Sequence, residues 1–81
     1  MEEYIPLYNI KPGETATVQI IGTQGSMRRR FQDIGLIEKT NIECVGQSPF
    51  GDPAAYLIRG AVIAIRADDC KDVLVSKNGA K

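Results

Sequence analysis

Histidine and tryptophan are missing from these 81 residues, and cysteine occurs only twice. Without histidine, the side chain that most often serves as acid or base near neutral pH is gone. The commonest borderline-metal ligand goes with it. Two cysteines, Cys44 and Cys70, are too few for a small secreted disulfide scaffold and read as reduced thiols. Net charge is also lacking: ten basic residues balance ten acidic ones. A general nucleic-acid binder draws its affinity from a basic excess, so that class is disfavoured and no nucleic-acid partner is expected. The longest apolar run, Ala61-Val62-Ile63-Ala64-Ile65, is far too short to span a bilayer, so no membrane insertion is expected. The start, Met1-Glu2-Glu3-Tyr4, is acidic and has no signal-peptide pattern. The expectation is a cytoplasmic protein.

What is present is aliphatic. Hydrophobic residues make up 43% of the chain, with few aromatics among them. That suits one domain over residues 1–81 with one small core, burying about 60–65% of the unfolded surface.

One helix is predicted, over residues 26–36. Met27, Phe31 and Ile34 recur at helical spacing and share a face. Gly35 suits the left-handed stop position, with Leu36 placed to pack back on Phe31. Thr23 is the expected N-cap in preference to Ser26, which would set Arg28 and Arg29 in the first turn against the helix dipole. Arg28 and Arg30 flank the apolar stripe and Arg29 points away.

Elsewhere the patterns are those of strands. Residues 15–21 alternate, with Ala16, Val18 and Ile20 on one face. Residues 40–47 place Ile42 and Cys44 on one face and Val45 on the other. Residues 54–59 and 61–66 flank an Arg59-Gly60 turn, and the second of these is apolar enough to predict a central strand. A helical turn at 68–71 precedes a last strand, 72–76, with Val73 and Val75 inward. Residues 1–9 read as a loose lead-in whose Ile5 and Leu7, with Ile10, plug the barrel floor, and 77–81 as a frayed tail. Five short strands with one inserted helix make the expected fold mainly β: a small SH3-like barrel.

Four segments in this order resemble the ferrous iron transport protein A (FeoA) family. They are Arg29-Arg30-Phe31 with Ile34-Gly35-Leu36, Pro49-Phe50-Gly51-Asp52-Pro53, Arg59-Gly60, and Ile63-Ala64-Ile65-Arg66. With Pro6-Leu7 and Gly13, the likeness covers roughly residues 6–76. Phe31 stands where leucine is usual, and Lys39 where glycine is common after the Gly-Leu pair. The resemblance implies a small cytosolic accessory of ferrous iron uptake, whose partner is FeoB, a membrane permease with a GTP-binding domain. The same module resembles the C-terminal domain of some iron-dependent repressors. With no DNA-binding domain preceding it here, a free-standing accessory is expected.

The residues themselves offer no catalytic set and no cofactor site. Asp68, Asp69 and Cys70 are the only metal-like cluster, and neighbours in a tight turn rarely converge on one ion. Two aspartates beside Cys70 are expected to raise its pKa. Gly22-Thr23-Gln24-Gly25 lacks the Gly-Lys-Ser/Thr ending of a phosphate-binding loop and the third glycine of a dinucleotide fingerprint, and reads as a tight strand-to-helix turn. The candidate partner-facing residues are Arg28, Arg29 and Arg30 on the helix, with Phe50 and Asp52 in the proline-rich loop. The arginines read either as a solvated face, with Asp33 in reach of Arg29 or Arg30, or as interface anchors. Phe50 either folds back or stands out, and Asp52 also suits a backbone cap. The alternatives to an accessory role are a nucleic-acid-binding barrel and a direct ferrous iron carrier or sensor.

Overall fold

The computed structural model describes residues 3–77. Its elements are β1 (Ile5–Pro6), β2 (Thr15–Ile21), α1 (Gly25–Ile34), β3 (Asn41–Gln47), β4 (Ala54–Ile58), β5 (Ala61–Ile65) and β6 (Val73–Lys77). Single 3-10 turns occupy Leu7–Asn9 and Ala67–Asp69. All pairings are antiparallel, in the order β1-β6-β2-β3-β4-β5. The fold is mainly β with one helix, as expected, but the described residues form six strands rather than five. The two end strands do not pair with each other, so the sheet curls without closing.

The lead-in is the source of the sixth strand. Ile5 and Pro6 pair with Val75 and Leu74, and the following 3-10 turn drives Leu7 into the core with Ile10 beyond it, both fully buried. The expected floor plug is therefore present, held by a strand where a loose segment was expected. Lys77, expected in a frayed tail, closes β6; residues 78–81 lie outside the described residues.

Ile42 and Cys44 are buried and Val45 is not; Val73 and Val75 are buried. The register against β4 shifts between Cys44 and Gly46, which makes Val45 an extra residue, still exposed as alternation predicts. Alternation fails in β2. The register against β6 shifts between Val18 and Ile20, which leaves Gln19 as an extra residue. A bulge of one residue moves every later side chain to the opposite face. Ile20, expected inward, is 44% exposed, and Ile21 takes its place in the core.

The strand expected to be central lies at the edge instead. Among the described residues β5 pairs only with β4, and Ala61, Val62 and Ala64 are exposed. Apolar content along a strand reports burial on both faces only when neighbours flank both sides, and β5 has one.

Candidate docking surface

The helix forms where the period predicted. Phe31 is buried, and Met27 and Ile34 pack against the core from its rim. Gly35 stops the helix at φ 90°, with Leu36 N–H donating to the Phe31 carbonyl at 2.8 Å, the bond of a Schellman stop. Gly35 also lies against the stem of Arg59, so a Cβ there would collide with that side chain.

The start of the helix corrects the expectation. Gln24, extended and making no side-chain cap bond, occupies the N-cap position. Gly25, at φ 73°, turns the chain directly into the helix, which leaves Thr23 one residue too early to cap. The Thr23 hydroxyl is instead buried without a partner among the described residues. The first turn of the helix holds no acidic residue to offset Arg28. The Arg28 guanidinium donates from Nη1 to the Ile21 carbonyl at 3.0 Å, tying the helix to the end of β2.

Arg28 is thus half-buried and engaged within the fold, while Arg29 and Arg30 are exposed. Among the described residues the only ion pair is Lys77–Glu14, at 3.0 Å, so Asp33 pairs with neither arginine. Arg30 borders a shallow hollow of about 20 Å³ between α1 and β5, with Met27, Ile34, Ile63, Ala64 and Asp69 around it.

The proline-rich loop braces itself. Gly51 N–H donates to the Ser48 carbonyl at 2.8 Å, Ser48 N–H to the Pro53 carbonyl at 3.1 Å, and the Ser48 hydroxyl to the Asp52 carbonyl at 2.8 Å. Asp52 Oδ1 accepts from the Ala67 N–H at 2.8 Å, which ties the loop to the second 3-10 turn. Phe50, at the tip, is 96% exposed. Of the five predicted site residues, Arg29, Arg30 and Phe50 face solvent, while Arg28 and Asp52 anchor the segments that carry them. The second 3-10 turn touches both segments: Asp52 binds Ala67, and Asp69 borders the hollow beside Arg30.

Both cysteines are fully buried. Burial pushes the Cys70 thiol up to about 12, and Asp52 and Asp69 add to it. The expected direction is right, but burial leads, and the second carboxylate is Asp52 where Asp68 was expected. Burial also raises Cys44 and drives the Tyr56 hydroxyl, which has no partner among the described residues, well above its usual range. Among the described residues, no three Cys, Asp or Glu side chains converge as a metal site would require. No described helix is long and apolar enough to cross a membrane.

An open six-stranded antiparallel sheet with one inserted helix is the SH3-like class of small β domain. The FeoA domain model matches residues 5–77, so the chain belongs to the FeoA family. It resembles a FeoA-like protein from Clostridium acetobutylicum, with 30% identity over all of this chain and 94% of that one, at a TM-score of 0.88. The FeoA protein of Chlorobium tepidum is similar in fold, at 23% identity, 95% and 73% coverage and a TM-score of 0.87. So is Stenotrophomonas maltophilia FeoA, described as a prokaryotic SH3 domain protein complexed with zinc: 21% identity, 88% of each chain, TM-score 0.72. No curated protein matches the sequence. The family and its FeoA-like structures support a role in ferrous iron transport.

Proposed function

We propose that this chain is a non-enzymatic accessory that docks on the cytosolic part of the FeoB-type permease and modulates its GTP-linked transport. The observation that carries the reading is Phe50. A large aromatic side chain, 96% exposed at the tip of a loop closed by its own hydrogen bonds, is held ready to enter a partner's pocket. Aromatic and arginine side chains dominate interface energetics when they become desolvated at the centre of a contact. Arg29 and Arg30 supply unpaired guanidinium groups for carboxylates of the partner. Arg28 and Asp52 enter as the residues that fix the helix and loop in place.

The test is a binding titration of the full chain against the soluble cytosolic part of the permease. Phe50→Ala is expected to cost about 2 kcal/mol of binding, the scale of a hot-spot residue. Arg29→Glu with Arg30→Glu is expected to weaken binding in a salt-dependent way. Unchanged affinity in all variants removes this surface from the reading.

A further inference from the structure

The open edge of the sheet deepens that reading. The two-residue turn Arg59-Gly60 joins the pair Ile58 and Ala61. Counting from it, Ala61, Ile63 and Ile65 exchange hydrogen bonds with β4, while Val62 and Ala64 turn their N–H and C=O groups away from the sheet. No loop or side-chain hydrogen bond among the described residues reaches the backbone of 61–65. Natural edge strands are blunted by lysine, proline, bulges or shortness. β5 has none of these: it is five residues long, wholly apolar, in regular register, and Val62 is 63% exposed.

The surroundings select the occupant. Arg59 precedes the strand, Arg66 follows it, and Arg30 stands over the adjoining hollow; none of the three has an ion-pair partner among the described residues. Asp69 is the one carboxylate bordering that hollow. A second copy fits poorly. Antiparallel self-pairing centred on Ile63, which overlays the two strands fully, sets Arg66 of each copy opposite Gly60 of the other and so beside its Arg59.

We propose that the free edge of β5 accepts an extended segment of a partner protein, apolar at its centre and acidic at its flanks, as a seventh strand. Main-chain bonds to Val62 and Ala64 give the affinity, as in strand-addition complexes. The half-exposed side chains of Met27, Ile34 and Ile63 receive apolar residues on one face. Arg30, Arg59 and Arg66 pair with the acidic flanks. The inference rests on the docking reading for the identity of the partner, but not for its chemistry.

Amide hydrogen exchange resolved by residue tests it, with three probes on the full chain: the cytosolic part of the permease, a synthetic apolar peptide with two glutamates at each end, and the same peptide with lysines there. Saturation with the permease part or the glutamate peptide is expected to slow exchange at Val62 and Ala64 at least tenfold, and the lysine peptide is expected to do less. Val62→Pro, which removes an outward N–H, is expected to weaken binding tenfold or more with the fold intact by its amide spectrum. Permease binding with both amides unprotected and Val62→Pro neutral overturns strand addition and leaves docking standing. Protection by the glutamate peptide without any permease binding overturns docking and supports strand addition. Protection on concentrating the chain alone names a second copy as occupant and overturns the proposal, as does protection by none of the probes.

Discussion

The two edges of the sheet are built on opposite plans. β1 is two residues long and one of them is Pro6, which has no N–H to offer a further strand. Its chain then dives inward to bury Leu7 and Ile10. β5 is longer, apolar and open, with arginines at both ends. A sheet left unguarded at one edge and closed at the other is protected where pairing would serve nothing. The open edge is an aggregation liability unless a partner regularly occupies it.

The largest expected effect falls on the closed edge. Leu7→Ala removes a fully buried plug and is expected to cost about 2–5 kcal/mol in chemical denaturation. A loss under about 1 kcal/mol would mean that the lead-in is a strap and not a part of the core. On the open edge, two prolines one residue apart should behave differently. Ile63→Pro strands the Tyr56 carbonyl and is expected to cost roughly 1–3 kcal/mol. Val62→Pro loses only an outward N–H and is expected to stay within about 0.5 kcal/mol. Equal losses would show that the outward assignment of Val62 is wrong.

A further effect should appear with pH on the chain between the open edge and β6. The Cys70 thiol titrates higher in the folded chain than in the unfolded one. Between the ordinary thiol range and about 12 the folded state therefore holds the extra proton. The stability from this group is complete at neutral pH and is lost as pH rises through that window. Cys70→Ala is expected to flatten the alkaline decline seen by denaturation from pH 8 to 11, whatever it costs at neutrality; an unchanged slope would count against burial as the cause. The last effect is a gain. Lys39 sits at φ 74°, its N–H donating to the Val18 carbonyl at 2.7 Å. Lys39→Gly relieves a left-handed conformation and is expected to add up to about 1 kcal/mol to the unfolding free energy. A loss instead would mean that the Nζ contact with Gln19 Oε1, at 3.4 Å, matters more than the backbone.

Lys39 adopts a left-handed backbone that the glycine expected there from the family resemblance would relieve. The candidate surface was legible in part. Exposure of Arg29 follows from its angle on the helix, opposite Met27, Phe31 and Ile34. The work of Arg28 and Asp52 was hidden, because their partners, the Ile21 carbonyl and the Ala67 N–H, are backbone groups of other segments. Backbone groups leave no mark in a sequence.

The sequence by itself determined the helix and its stop at Gly35, the Arg59-Gly60 hairpin, and the inward faces of β3 and β6. Each depends on periodicity or turn chemistry within a few residues. Only the tertiary structure decided that Ala61–Ile65 stands at an edge, that Gln19 bulges so that Ile20 and Ile21 exchange faces, and that Ile5–Pro6 adds a sixth strand. These depend on which strands meet across long stretches of chain, where an apolar run looks alike whether one neighbour covers it or two.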